Sequence, residues 1–281
     1  AVVIGIGGIL QSLFNFEFLM TGMIEAKRFG LTRASFSVGS SIVFGAYIAI
    51  ASSIQISRII INKKRKLINL VILIIFLIAT VLSFTRTAWI QIIVTLMVQL
   101  LILFKLRPYK TKSFIILNVF LSVLIIALLF FGSDYFYFFK GGFVGRVDSW
   151  LKGMSIANNN LFFGQGPGTT IWAINSKLFN DVFVTESFII QILAELGIVG
   201  IFLYLNIILY SLKIVFKSIK KTPMDQKGRI IYKLFVISAL VGLLFNMFLA
   251  QSMNAWVVSM MFWFTIALAR ITILEVRSNE S

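Results

Sequence analysis

The length of its apolar runs constrains this chain most. Stretches approaching 20 residues recur with almost no charge in them, and about 20 is the number an α-helix needs to cross a hydrocarbon core. Hydrophobic residues make up 59% of the 281 positions and charged residues 13%, whereas a soluble domain is roughly 45–50% apolar. Inside a bilayer every backbone N–H and C=O must find its partner within the protein, so spanning segments are helices or closed barrels. The alternating pattern of about ten residues that marks a barrel strand is absent. The chain therefore reads as an integral membrane protein of the all-α class, a polytopic membrane helix bundle. Spans are expected near 1–23, 37–57, 67–84, 88–104, 113–132, 187–212, 231–250 and 255–273.

Orientation follows from the basic residues. The segment 58–66 holds five Lys/Arg, 105–112 four, 213–233 seven and the tail from Arg270 two, eighteen in all. By the positive-inside rule these segments face the cytoplasm. The intervening segments 24–36, 85–87, 133–186 and 251–254 then fall outside, with eight Lys/Arg. This bias also accounts for the net charge of +16, which is read as orientation plus attraction to anionic headgroups rather than nucleic-acid binding. The first residue is Ala, and the run 1–23 is uncharged apart from Glu17. The chain is accordingly expected to be an excerpt of a longer protein, beginning at or inside a span. A cleaved signal peptide fits less well, because no basic segment precedes the run.

There is no Cys and no His. That removes disulfides, thiol catalysis, the commonest metal ligand and the commonest general base. Acid–base work falls to carboxylates, Tyr, Lys or Ser/Thr, and no cofactor or metal is expected. No repeat or Pro-rich linker divides the chain, so 1–281 is read as a single transmembrane domain. Its one long interruption is the extracytoplasmic loop 133–186, too long for a passive connection.

Polar and conformationally permissive residues gather in that loop and at the start of the span after it. From Arg146 to Asn158 the alternation suits a helix lying on the membrane surface with Trp150 at the interface, and Asn158-Asn159-Asn160 reads as its stop. Gly164-Gln165-Gly166-Pro167-Gly168-Thr169-Thr170 is expected to be a tight loop, since Gly supplies positive φ and Pro fixes a turn. It lacks the spacing and context of a nucleotide fingerprint. One reading is a turn that merely packs near the membrane; the other is a backbone cradle beside an anion. Arg28, Arg33, Arg86 and Arg146 all fall on the outer side, where guanidinium forks suit phosphate oxygens. Lys140, Lys152 and Lys177 are read as snorkelling to lipid. Glu186 lies at the water boundary, where a hydroxyl substrate reaches it. Ser187, Gln191 and Glu195 follow four apart on one helix face, and Glu195 is expected to tie structure together.

Taken in order, Ser83-x-Thr85-Arg86, Arg146-x-x-x-Trp150, Phe163-Gly164-x-Gly166-x-Gly168 and Glu186-Ser187-x-x-x-Gln191-x-x-x-Glu195-x-Gly197-x-x-Gly200 resemble the O-antigen ligase and O-antigen/capsule polymerase family of bacterial envelope glycosyltransferases. The resemblance spans roughly 25–212. It implies a GT-C-like bundle in the bacterial inner membrane, with its active site on the extracytoplasmic face, that transfers glycan from an undecaprenyl-diphosphate carrier. Implied partners are that lipid-linked oligosaccharide, membrane lipids and other polysaccharide assembly proteins. Ligases of the family carry a His-Asn pair where this chain has Glu186-Ser187, which favours a repeat-unit polymerase over a ligase.

On this reading Arg86, Arg146 and Glu186 are catalytic, the arginines holding diphosphate and the carboxylate accepting a proton. Arg28, Arg33, Trp150, Gly164, Gly166, Gly168, Ser187 and Gln191 bind substrate, with Trp150, Trp172, Tyr135 and Tyr137 available to stack on sugars. The rival is a flippase for the same lipid-linked sugars, which would place charges near the bilayer midplane in paired halves.

Overall fold

The computed structural model describes residues 1–15, 30–61, 65–106, 132–170, 184–223 and 226–278; at 105, 106, 132–144 and 272–278 only the backbone is described. Among the described residues there are helices and no strands. They run α1 (Val2–Phe14), α2 (Ser41–Ile61), α3 (Lys66–Leu82), α4 (Arg86–Leu106), α5 (Gly132–Asn158), α6 (Phe188–Lys221), α7 (Lys227–Leu249) and α8 (Trp256–Ser278). Four are long and apolar enough to cross a membrane, namely α2, α4 over Arg86–Phe104, α6 and α7. Three shorter apolar helices are α1, α3 and Trp256–Ile271 of α8. The all-α membrane bundle expected from the sequence is what is found. Of the expected spans, 113–132 lies almost wholly outside the described residues.

The differences from the expected boundaries have local causes. The run expected to continue to 23 breaks at Asn15, which adopts a left-handed conformation (φ 53°, ψ 40°) and caps α1 with its N–H on Gln11 O. Asn tolerates that conformation because its short polar side chain bonds locally; here Asn15 Oδ1 accepts from Thr32 Oγ1 at 2.6 Å. In α5 the stop at Asn158 is where the sequence places it, but the helix begins at Gly132 rather than near Arg146.

The chain folds as two compact units. The first comprises Ala1–Ile102 and Leu205–Ser281, the second Leu103–Tyr204. Within the first, α2 packs against α3, α7 and α8, and α1 packs against α3. Ala49, Ile56 and Ile92 form a buried cluster there, with Ile60, Leu73, Leu77 and Leu96 packed on it. Several polar side chains enter this interior hydrogen-bonded, although Gln91 Nε2 and Gln99 Oε1 find no partner among the described residues. The hydroxyls of Ser52, Ser53 and Ser57 donate to carbonyls three or four residues back in α2. Along α4, Gln91 accepts from Asn246 Nδ2 of α7 at 2.9 Å, and Gln99 Nε2 donates to Ser53 O at 2.8 Å and Ser238 Oγ at 2.9 Å. Such interhelical bonds hold membrane helices in register where lipid offers no hydrophobic drive.

Candidate active site

In the first unit the site-bearing corner is the turn between α3 and α4. Ser83 Oγ donates to Thr80 O and accepts from Thr85 N, while Thr85 Oγ1 donates to Ser41 O at 3.0 Å. Phe84 between them is held at φ 50°, a left-handed conformation that costs an L-residue roughly 1–2 kcal/mol. This turn delivers Arg86 as the first residue of α4. The same turn captures a second guanidinium, for Arg33 Nε donates to Ser83 O at 3.2 Å and Arg33 Nη2 to Thr85 Oγ1 at 3.4 Å. Two half-buried arginines, 53 positions apart in sequence, therefore share one corner. Arg28 lies outside the described residues.

The second unit brings together Arg146, Glu186 and the glycine loop. Gly153 of α5 sits against Thr185 and Ile190, so close that a Cβ there would meet Ile190 Cγ2 at 2.6 Å. That approach, two turns on from Arg146, brings its guanidinium to the start of α6, where Arg146 Nε donates to Glu186 Oε2 at 3.1 Å. Glu186 is itself left-handed at φ 50°, and strained non-glycine residues of this kind cluster at functional sites. The pair is partly open to solvent, with side chains 24% and 50% exposed. Among the described residues Arg146 engages it through Nε alone and Glu186 through Oε2 alone. Trp150 lies one turn along α5 from Arg146 and is half-buried. Ser187 and Gln191 are buried: Ser187 Oγ accepts from Ile190 N at the helix start, and Gln191 Nε2 donates to Glu195 Oε1 at 3.2 Å.

The glycine loop is fastened to a break in α6. Gly197 has φ 66° and ψ −165°, non-helical values inside a helix. The break leaves Ala194 O and Glu195 O without their helical donors, and Ile198 N and Val199 N without their acceptors. The loop supplies all four: Gln165 N donates to Ala194 O (2.8 Å), Gly166 N to Glu195 O (3.0 Å), Ile198 N to Leu161 O (2.9 Å) and Val199 N to Phe162 O (3.3 Å). Backbones approach so closely that a Cβ on Gly197 would lie 2.2 Å from Phe162 O, and one on Gly164 2.4 Å from Glu195 C. The buried Glu195 carboxylate closes the loop, since its Oε1 accepts from Thr170 N (3.2 Å) and Thr170 Oγ1 (2.7 Å). The positive φ expected of the glycines is found at Gly164, Gly166 and Gly168 (72°, 100° and 90°). Gly153 and the Gly197 break are positioning elements that the sequence reading missed; Thr170 it placed in the tight loop, without the bonds to Glu195. The only signal for the break is a glycine in the middle of an otherwise unbroken apolar helix.

Apolar helices of spanning length, with strained, arginine-bearing turns at their ends, define an integral membrane protein of the polytopic helix-bundle class. Residues 68–205 match the O-antigen ligase family model, so the chain carries a domain of the O-antigen ligase family. This is the resemblance read from the motifs, over a shorter span that takes in Arg86, Arg146, the glycine loop and Glu186 but not Arg33. The family indicates ligase- or polymerase-type function in polysaccharide assembly. No curated protein matches the chain.

Proposed function

We propose that the protein is a polymerase of lipid-linked oligosaccharide repeat units in surface polysaccharide synthesis, acting at the outer face of the bacterial inner membrane. The observation that carries this reading is the Arg146–Glu186 pair at the start of α6, a cation suited to phosphate oxygens touching a carboxylate suited to a hydroxyl proton. A partly exposed ion pair is worth about 1 kcal/mol or less, so an incoming diphosphate displaces it at little cost. Arg146 holds the diphosphate of an undecaprenyl-linked donor, and the role carried over to Arg86 from the family resemblance, with help from Arg28 or Arg33, is likewise to bind phosphate oxygens. Glu186 accepts the proton of the acceptor hydroxyl. As that oxygen bonds to the anomeric carbon, the bond from carbon to the diphosphate oxygen breaks, and the carrier leaves as the dianionic or trianionic diphosphate that the guanidiniums stabilise. Attack opposite the leaving group inverts the anomeric centre. The step is metal-independent because fixed guanidinium charge does what a divalent cation would do. Gly164, Gly166 and Gly168 shape the loop beside the donor sugar, Trp150 offers it a ring, and Ser187 and Gln191 hold the start of α6 under the acceptor.

Transfer to a different acceptor, the ligase reaction for which the family is named, would use the same two groups. The polymerase reading is preferred because Glu186 stands where the ligases carry His. A strain lacking the protein tests it against transport: single repeat units displayed outside and no long chains support a polymerase, whereas repeats trapped inside mean a flippase.

A further inference from the structure

The polymerase reading leaves unused a short apolar knuckle just before the glycine loop. Leu161, Phe162 and Phe163 are exposed, the two rings at 66% and 72%, although they belong to a segment whose backbone is bonded firmly to α6. Large apolar side chains held out in that way require an occupant.

Their position along α6 says which one. From Phe188 to Glu195 the side chains of α6 are buried or half-buried; from Leu196 onward exposed apolar residues begin, with Leu196, Ile198, Val199, Phe202 and Leu203. On a helix long and apolar enough to span a bilayer, that surface faces lipid. Leu161 O and Phe162 O accept from Ile198 N and Val199 N, which fixes the knuckle at the level where the lipid-facing surface of α6 starts. The residues on either side are polar and exposed, Asn158, Asn159 and Asn160 before it and Gln165 after it. Apolar rings bracketed by polar side chains, at the boundary of a spanning surface, match the headgroup–acyl interface, where aromatic residues concentrate.

We infer that Leu161, Phe162 and Phe163 insert into the bilayer interface as a lipid-binding knuckle, and that the occupant of this surface is the membrane itself. The knuckle sets the height of the glycine loop. Through the four backbone bonds at the Gly197 break it holds the loop level with the start of the lipid-facing part of α6.

The chain has no cysteine, so Phe163→Cys in the full chain creates a unique labelling site at an exposed position. A nitroxide attached there, in vesicles of phosphatidylethanolamine and phosphatidylglycerol, is tested for collision with oxygen, which concentrates in the bilayer, and with a water-soluble nickel chelate. Asn159→Cys serves as the aqueous reference, and Phe162→Cys repeats the test at the neighbouring ring. The expected result is a severalfold higher oxygen-to-nickel collision ratio at 163 and 162 than at 159. Equal ratios at all three sites would place the knuckle in water. Exclusion of both reagents from 162 and 163 would place it under protein, such as a second copy of the chain. Either overturns the inference.

Discussion

At the scale of single residues, the informative side chains are those an apolar chain has few of. Arg86, Arg146 and Glu186 stand out in the sequence because a charge near a bilayer is costly and is kept for a reason, and two of the three meet in one ion pair. What the sequence could not disclose is the company they keep. Arg33 reaches the 83–85 turn through tertiary folding across a separation of 50 residues to Ser83, and nothing in the local pattern at 33 announces it. Ser187 and Gln191 read as a polar helix face open to substrate, yet both are buried and bonded to the protein, because helix periodicity says which residues share a face and not what covers it. The geometry of the pair gives a graded expectation. Arg146→Lys keeps the charge but loses the planar fork. With a charge-assisted hydrogen bond from the guanidinium to the diphosphate worth about 1.5–3 kcal/mol, polymer output should fall about tenfold or more. Quantified surface polysaccharide at matched membrane levels checks this, and full output from the lysine variant would mean that charge alone suffices.

At the scale of elements, the broken helix and the loop that repairs it form one device. Each backbone group freed by Gly197 is met by a group from 161–166, and the fit depends on two glycines with no room for a Cβ. Gly197→Ala and Gly164→Ala combine positive φ with a backbone clash and should cost about 2–4 kcal/mol, from left-handed strain and one or more lost hydrogen bonds. Gly166→Ala meets nothing within 4 Å and should cost only the strain, about 1–2 kcal/mol. Thermal unfolding of the detergent-solubilised protein should rank Gly166→Ala well above the other two; equal stability of all three would mean that the loop is not docked as described. The glycine loop itself was legible, since positive φ is what Gly and little else supplies. The start of α5 was not, because Gly132, Gly141, Gly142 and Gly145 lower helix propensity in a segment that is nonetheless helical.

At the scale of the whole molecule, the helical membrane class was legible from run length alone, because the bilayer leaves a chain so few ways to satisfy its backbone. The division into two compact units was not. It passes through the middle of α6 and within the last turns of α4, at no composition shift a reader could see. Orientation carries its own expectation. In intact spheroplasts a membrane-impermeant maleimide should label Asn159→Cys and leave Lys227→Cys unlabelled until lysis, both positions being exposed. The reverse pattern would turn the molecule over and remove the carrier's outer-face diphosphate from reach of the arginines. Whether Arg146 and Glu186 act as a unit in glycan transfer is decided by expressing Arg146→Ala, Glu186→Gln and the double variant in a strain lacking the protein and separating its surface polysaccharide by chain length. Removing a general base lowers a rate by about 10²–10⁴-fold; long chains should therefore vanish in each single variant, with single-repeat species retained and membrane levels normal, and the double variant should look no worse. An undiminished ladder in Glu186→Gln would contradict the account.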